Sequence, residues 1–412
     1  MKEMGEGCIK KFIWLIWIFL FFAMGCVQKK AEIEEINSEI NIISSSDKSD
    51  YANAEDVAAA YHDIYDDAVE TNTLGTLEVT QRIISRLGEN GYIAVDSQNQ
   101  VDMVGAERAV EFCRAVDEKK EDKISIIVIL GLGFRKFDLT TEEGNVNVVR
   151  GYYQYDKDGY LENRSTVSYW ADKWQYTEEG YLLFEGSYFS NENMLTLSDA
   201  QEQTAIRIAP LDETCRELNR AYILPIGYQR NNMFLMDWSE DQFGKLDFYD
   251  IFDVFYPVLN KQPVPYAADE NLGIGTVYQI PEDEFETVVM AYFEIDKEML
   301  RSKTTYSLEN AAYEYRPRGF YEMEYPDLPY PEVVSYTENR DGTITLIIHA
   351  VYPQGGTSKL FSHKTVIRPL KEDHYQYVSN QVISPEDDYD IRWHSDRLTE
   401  EEWEQIYGGN EE

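Results

Sequence analysis

One cysteine near the N-terminus stands in a pattern that predicts covalent modification. Lys10 and Lys11 precede a short apolar run, Phe12–Met24, and a glycine then separates that run from Cys26. A basic start, a short apolar stretch and a small residue before a cysteine are typical of a bacterial lipoprotein signal. The run is shorter than the roughly 20 apolar residues that span a membrane. We therefore expect residues 1–25 to be cleaved as a signal peptide and Cys26 to carry a lipid such as palmitate; an uncleaved N-terminal anchor is the alternative.

The charge of the chain restricts its partners. With 76 acidic and 37 basic residues, the formal net charge is −39. Nucleic acids and anionic lipid surfaces attract clustered Lys and Arg, so neither is expected as a partner of this acidic chain. We expect the protein at the outer face of the cell membrane, held there by its lipid. Cell-wall glycan or another envelope protein is the candidate partner.

Glycine-rich and acidic segments do not form a complete catalytic or cofactor motif. Gly131-Leu132-Gly133 follows a predicted strand, but it lacks the third glycine and the following helix of a dinucleotide-binding loop. The segment 156–159 resembles the opening of a calcium loop without its later acidic ligands, so we expect a hairpin turn there. The chain has no Gly-x-Ser-x-Gly element of a serine hydrolase. From these motifs we expect no cofactor, no metal and no catalytic residue.

Histidine and cysteine spacing does not predict a metal centre or a nucleophile. Five histidines occur, and none has the His-x-x-x-His or His-Glu-x-x-His spacing of zinc hydrolases. His349 and His363 fall on neighbouring predicted strands, where ordinary sheet positions are the preferred interpretation. Cys113 and Cys215 each lie at helical spacing with apolar residues, so we expect buried thiols. A disulfide between these two cysteines remains open for an exported protein.

Acidic and aromatic residues leave two functional alternatives. A glycosidase needs only two carboxylates at a suitable separation, which gives no pattern along the sequence. Aromatic residues concentrate between residues 152 and 181. Alternating aromatics fill the cores of sheets, but exposed aromatic faces also stack on sugar rings. The candidate ligand platform consists of Tyr155, Trp170, Trp174 and Tyr176.

Periodicity predicts the elements that must position these residues. Three helices with apolar stripes are followed by a strand over 124–130 and by hairpins over 134–190. The segment 155–161 recurs as 176–182, which predicts two equivalent hairpin turns. A further helix is predicted over 211–222. The remaining predictions are a helix with Pro281 in its first turn, a short helix capped by Asp296, strands over 343–351, 362–369 and 375–383, and a terminal helix with Thr399 and Glu402 at capping-box spacing.

These elements predict an α+β fold with two domains, in each of which helices precede a largely antiparallel sheet. Proline-rich segments place the expected boundary between the two domains near residue 262. The predicted organisation is a signal peptide over 1–25, the lipidated cysteine and a flexible tether over 26–53, an N-terminal domain over 54–262 that contains the aromatic β-meander, and a C-terminal domain over 263–412 that ends in a helix.

Three segments of the chain resemble an uncharacterised lipoprotein family of anaerobic Gram-positive bacteria of the clostridial, gut-dwelling kind. They are Thr73–Glu78, Cys215–Asn219 with Ile223–Tyr228, and Leu398–Trp403. The resemblance implies a lipid-anchored extracytoplasmic protein with an α+β fold, and it carries over no catalytic residue. We therefore expect a non-catalytic binding or scaffolding protein of the cell envelope. A carboxylate-dependent hydrolase acting on an envelope glycan is the alternative.

Overall fold

A computed structural model describes residues 51–189, 200–266, 275–319, 322, 327–371, 374–383 and 393–408. The predicted signal peptide, Cys26 and nearly all of the predicted tether lie outside the described residues. From Asn53 onward, the described residues belong to one compact unit.

Three helices begin this unit, and each buries the apolar stripe that the sequence predicts. They are α1 (Ala54–Glu70), α2 (Leu77–Glu89) and α3 (Ala106–Asp117). The side chain of Asn53 caps α1 by accepting from the backbone N–H of Glu55 at 2.8 Å, and Thr76 caps α2. The buried residues of each helix lie on one face and include positions three and four apart, which confirms the predicted helical period: Val57, Ala58, Tyr61, Ile64, Tyr65 and Ala68; Val79, Ile83, Ile84 and Leu87; Ala109, Phe112, Cys113 and Val116.

Two sheets follow, and they confirm the predicted meander. The first sheet has five strands in sequence order, with β1 parallel to β2 and all other neighbours antiparallel. Its strands are β1 (Ile93–Asp96), β2 (Asp122–Leu130), β3 (Gly133–Glu142), β4 (Asn145–Tyr155) and β5 (Leu161–Trp170). The second, antiparallel sheet consists of β6 (Lys173–Tyr176), β7 (Tyr181–Tyr188) and β8 (Ala200–Arg207).

The first sheet is covered on both faces. On one face, Phe134 and Tyr155 pack edge-on against Tyr61 of α1, with ring centroids 6.5 and 6.2 Å away. On the other face, Phe137 and Leu139 join α3 and the second sheet in one hydrophobic core. Alternate residues of a strand point to opposite faces, so this face continues along β3 from Leu139 and Phe137 to Arg135.

The two similar segments form equivalent hairpin turns, as predicted. In the β4–β5 turn, Oδ1 of Asp156 accepts from the backbone N–H groups of Asp158 and Tyr160, both at 2.8 Å. In the β6–β7 turn, the hydroxyl of Thr177 accepts from the backbone N–H of Tyr181 at 3.2 Å. The glycine of each turn has a positive φ, +81° in the first and +87° in the second, which favours glycine at both positions.

The helix predicted over 211–222 differs from the structure at both ends. Helix α4 spans Glu213–Leu218, and the chain then continues as a π-helical turn over Asn219–Ile223. Asp212 sets the start, because its side chain accepts from the backbone N–H of Thr214 at 2.8 Å. After this turn come the short strand β9 (Trp238–Ser239) and the aromatic helix α5 (Phe248–Asn260).

The last part of the chain forms two further sheets with helices. The elements are β10 (Tyr278–Pro281), α6 (Glu282–Tyr292), α7 (Lys297–Ser302), β11 (Tyr306–Ser307), β12 (Ala312–Tyr315), β13 (Tyr330–Glu338), β14 (Ile344–Val351), β15 (Ser362–Pro369), β16 (Tyr375–Ile383) and α8 (Glu400–Tyr407). The third sheet has the order β13-β14-β15-β16-β9, and the fourth has the order β10-β12-β11. Asp296 caps α7, and Thr399 with Glu402 forms the predicted capping box of α8.

Two large hydrophobic cores lie inside this unit. The first is built from residues between Val95 and Ile208, and the second from residues between Cys215 and Trp393. Helix α5 therefore packs in the same core as α6 and β16, although it precedes residue 262. The α+β class is as predicted, and the division into two domains at 262–263 stays a prediction.

A buried charge cluster attaches the C-terminal segment to α5, and we call it the α5 cluster. The guanidinium of Arg397 donates to Asp250 at 2.9 Å and also to Asp253, and it lies 3.8 Å from Asp247. Arg318 makes a second ion pair with Asp250, at 2.8 Å. Asp247 is also the N-cap of α5, since its side chain accepts from the backbone N–H groups of Tyr249 and Asp250. Two arginines from elsewhere in the chain thus face three carboxylates at the start of this helix.

Candidate functional site

The four residues of the predicted ligand platform lie in different environments. Tyr155 is only 5% exposed, and its ring packs 4.0 Å from that of Tyr65. Its hydroxyl donates to the backbone carbonyl of Ala58 at 3.3 Å. The ring of Trp174 stacks on Phe184 at 5.6 Å, against the first core. These two aromatic rings contribute to packing of the sheets.

The other two platform residues are more exposed. Trp170 is 54% exposed, and Tyr176 lies on β6, where it shares one face of the strand with Trp174. Trp170 pairs with Asn147, eight positions along β4 from Tyr155, which corresponds to roughly 26 Å. The structure thus does not bring Tyr155 and Trp170 onto one surface. The platform stays a prediction, and its one strongly exposed ring is Trp170.

A polar cleft lies where the first core ends, and we call it the Arg135 cleft. It has a volume of about 430 Å³ and is lined by Arg135, Arg150, Tyr152, Tyr188, Gln201, Glu202, Gln203, Asp327, Leu328, Tyr330, Pro353 and Gln354. Arg135 faces Tyr152 across the β3–β4 ladder, and Arg150 precedes Tyr152 by two residues. The face of the sheet that is apolar at Phe137 and Leu139 therefore becomes polar at the cleft.

Two of the charged groups in the Arg135 cleft, Arg150 and Glu202, form a largely buried ion pair. Arg150 donates from Nε and Nη2 to Glu202 at 3.0 Å each, and its Nη1 donates to the Ser165 hydroxyl at 2.7 Å. Asp327 accepts from Nε2 of Gln354 at 2.9 Å. Arg135 is exposed and makes no ion pair with any described residue. The cleft thus combines fixed polar groups with one guanidinium available to a ligand.

A second cavity, the Asn219 cavity, lies beside the π-helical turn. It has a volume of about 350 Å³ and is lined by Ser97, Gln98, Asn99, Gln100, Leu211, Arg216, Asn219, Leu224, Tyr330, Pro331 and Glu332. The loop that follows β1 is shaped by Asp96, whose carboxylate accepts from the backbone N–H groups of Gln98 and Gln100 at 3.0 and 3.1 Å. Three segments that are distant in sequence meet at this cavity.

Tyr330 lines both cavities and belongs to a buried network that we call the Tyr330 wall: Asn99, Tyr181, Arg207, Tyr330 and Glu332. Nδ2 of Asn99 donates to the Tyr330 hydroxyl at 3.0 Å. One oxygen of Glu332 accepts from Tyr181 at 2.7 Å, and the other accepts from Arg207. Burial raises the pKa of Glu332, although the neighbouring Arg207 acts in the opposite direction. This wall joins β7 and β8 of the second sheet to β13 of the third.

A family model matches residues 47–397 of the chain. The chain belongs to DUF6070, a family of unknown function. No curated protein and no solved structure matches it. The prediction that the chain belongs to an uncharacterised family is thus confirmed. That the family is one of clostridial lipoproteins stays a prediction. Among the described residues, no helix is both long enough and apolar enough to cross a membrane.

Membership of DUF6070 assigns no role to any residue, and the structure separates His349 from His363. His349 pairs with Ser362 and Ile348 pairs with His363, so the two histidines lie on opposite faces of the sheet. Burial lowers the pKa of His349 to about 4 and that of His363 to about 3, so both are neutral at pH 7. The described part of the chain contains no group of three His, Cys, Asp or Glu residues arranged for a metal ion.

Cys113 and Cys215, the two cysteines in the described part of the chain, are buried and free, so no disulfide joins them. Burial raises the pKa of the Cys113 thiol to about 12, and that of Cys215 is raised for the same reason. A nucleophilic cysteine needs a thiolate that is accessible to substrate. Neither residue meets that requirement.

Sequence reasoning did not identify either cavity. Their walls come from residues far apart in the chain, and no local spacing marks them. One signal was present: Arg207 lies between Ile206 and Ile208, and Glu332 lies between Pro331 and Val333. A charged residue inside an apolar strand segment indicates a buried partner of opposite charge, since an unpaired buried charge is strongly unfavourable.

Proposed function

We propose that this protein is a lipid-anchored, extracytoplasmic binding protein that takes an envelope glycan in the Arg135 cleft without cleaving it. One observation carries the proposal: a single open cleft combines three tyrosines with amide, guanidinium and carboxylate groups. Ligand sites typically combine apolar and aromatic walls with a few well-placed polar groups, and their volumes are roughly 300–1,000 Å³. At about 430 Å³, this cleft falls within that range.

The lining of the cleft matches the chemistry of a sugar. A pyranose ring has an apolar C–H face that packs on aromatic rings, and Tyr152 and Tyr188 offer such rings. Its edge carries hydroxyls that both donate and accept hydrogen bonds. Glutamine amides provide donors and acceptors together, which Gln201 and Gln203 supply. The exposed guanidinium of Arg135 adds a site for an acidic substituent of the glycan.

The alternative is a hydrolase that uses Glu202 and Asp327, which line the same cleft. A glycosidase needs one carboxyl that holds a proton and a second that acts as base or nucleophile. Both oxygens of Glu202 accept hydrogen bonds from Arg150, so a glycosidic oxygen could reach this carboxylate only by displacing the ion pair. Binding therefore fits the geometry better than hydrolysis.

An assay for reducing ends released from purified cell-wall polysaccharide decides between binding and hydrolysis. It compares the unaltered full chain with Glu202→Gln and Asp327→Asn. Binding without cleavage supports the proposal. Cleavage that both substitutions abolish would establish the hydrolase instead.

The anchoring part of the proposal rests on the sequence around Cys26. Incorporation of labelled palmitate into the full chain in a bacterial host tests it, with Cys26→Ser as the variant and Cys8→Ser as the matched control. We expect Cys26→Ser to lose the label and leave the membrane fraction. Cys8→Ser should keep both properties, because Cys8 lies inside the predicted signal peptide. A Cys26→Ser protein that remains membrane-bound at the wild-type level would contradict lipid anchoring.

Glycan binding is tested by titrating the detergent-solubilised full chain with cell-wall oligosaccharides. Tyr152→Ala should weaken binding about fivefold, since a stacking contact contributes about 1 kcal/mol. Trp170→Ala serves as the comparison, because it removes the exposed ring of the predicted platform. A loss with Trp170→Ala alone would assign binding to that platform, and an absence of binding by the unaltered chain would contradict the proposal altogether.

A further inference from the structure

We infer that the Asn219 cavity is a second ligand site, which takes an uncharged molecule with an apolar body and one hydrogen-bond donor. This inference is independent of glycan binding. It follows from three observations: the composition of the cavity wall, one buried acceptor without a partner among the described residues, and the ion pairs already made by Arg216 and Glu332, the two charged residues that line the cavity.

The lining of the cavity combines apolar and polar residues. Leu211, Leu224, Pro331 and Tyr330 provide its apolar and aromatic groups. At about 350 Å³, the space is sufficient for a small organic molecule. Water gains little from such a surface, so an apolar ligand body is favoured there.

The acceptor is Oδ1 of Asn219. This residue is 5% exposed, and its Nδ2 donates to the backbone carbonyl of Pro331 at 3.1 Å. A carbonyl oxygen only accepts, so that contact fixes the orientation of the amide. Oδ1 is then buried without a hydrogen-bond partner among the described residues. An unmatched buried acceptor costs about 1–3 kcal/mol, which a donor on the ligand would recover.

The π-helical turn places this side chain. In this turn, the backbone carbonyl of Asn219 accepts from the N–H of Leu224, five residues later, at 2.8 Å. A π-helical turn widens a helix locally, costs stability and often occurs at functional sites. Here it brings Asn219 and the partly exposed Leu224 to the same cavity.

The charges around the cavity are already matched. Arg216 donates to Asp102 at 2.6 Å, to the carbonyl of Leu211 at 3.1 Å and to the carbonyl of Asn99 at 3.3 Å. Glu332 is paired with Arg207 and Tyr181. An ionic ligand would therefore enter the cavity without a counter-charge, whereas an uncharged ligand needs none.

Benzamide and acetophenone are a matched pair of probes, because an amino group in one replaces a methyl group in the other. Ligand-observed NMR titrations of the detergent-solubilised full chain give their affinities. We expect benzamide to bind about tenfold more tightly than acetophenone, since only benzamide can donate to Asn219. The comparison uses the unaltered protein, so it does not depend on the folding of a variant.

Two variants locate the bound probe. Leu224→Trp should fill the cavity and weaken benzamide binding at least tenfold. Leu308→Trp, at a position that is 85% exposed and away from the cavity, should leave binding unchanged and also controls for partition into detergent. Equal benzamide binding by the wild-type and Leu224→Trp proteins, acetophenone binding as tight as benzamide binding, or no saturable binding would each overturn the inference.

Discussion

The two cavities share Tyr330 but differ in how their polar groups are satisfied. In the Arg135 cleft, Arg150 and Glu202 pair with each other, and the exposed Arg135 is solvated. In the Asn219 cavity, charged groups are also paired, but one amide oxygen is buried without a partner. The cleft therefore suits a polar ligand that exchanges its contacts with water for contacts with protein. The Asn219 cavity suits an apolar ligand that supplies one missing hydrogen bond.

The largest expected effect concerns the Tyr330 wall, on which both cavities depend. Glu332→Gln removes the carboxylate that neutralises the buried Arg207. Leaving a buried charge unpaired costs about 3–5 kcal/mol. We expect the free energy of unfolding of the full chain, measured by urea denaturation, to fall by that amount. Glu338→Gln, at an exposed position of the same strand, is the control and should change it by less than about 0.5 kcal/mol. A loss below about 1 kcal/mol for Glu332→Gln would contradict the role of the wall.

The pH dependence of stability should report the environment of Asp247 in the α5 cluster. Burial, together with the neighbouring Asp250, raises the pKa of Asp247 to about 6. An unfolded aspartate has a pKa of about 3.9, so between about pH 4 and pH 6 the folded protein keeps a proton that the unfolded chain releases. This contribution to stability is complete below about pH 4 and is lost as the pH rises to about 6.

Asp247→Asn tests this prediction, since asparagine can still cap α5 but does not titrate. Thermal unfolding of both proteins between pH 4 and pH 7 should show wild-type stability falling relative to the variant, by about 1 kcal/mol per pH unit at most. Parallel curves for the two proteins would show that Asp247 has no raised pKa in the folded state.

The smallest expected effect concerns ligand binding: a substitution in one cavity should weaken the ligand of that cavity and leave the ligand of the other unchanged. Tyr152→Ala should weaken oligosaccharide binding about fivefold and leave benzamide binding unchanged. Leu224→Trp should do the reverse, because the two residues line different cavities. Calorimetric or NMR titration of each variant with both ligands gives the four affinities. If either substitution weakened both ligands equally, the two cavities would have to be treated as a single site.

Much of the fold follows from local sequence patterns. The apolar stripe of α1, from Val57 to Ala68, and the capping box at Thr399 depend on residues within a few positions of one another. The π-helical turn at Asn219 was not predicted, because no periodicity in the sequence marks it. Its side chain bonds Pro331, more than a hundred residues away.

The candidate sites were less accessible to sequence reasoning than the fold. Aromatic clustering directed attention to Tyr155 and Trp174, but alternating aromatic residues look alike whether they fill a core or face a ligand. The exposure of Tyr152 in the Arg135 cleft depends on where the first core ends. That position is set by how the second and third sheets pack, and the spacing of residues along the sequence carries no information about this packing.

Hydroxyl-radical footprinting of the full chain with cell-wall oligosaccharide tests the central claim most directly, because it reports which side chains the glycan covers. We expect Tyr152 and Tyr188 to be protected. Tyr160, which is 71% exposed, and Trp170 should react as they do without ligand. Protection of Trp170 with unchanged reactivity of Tyr152 and Tyr188 would contradict glycan binding in the Arg135 cleft.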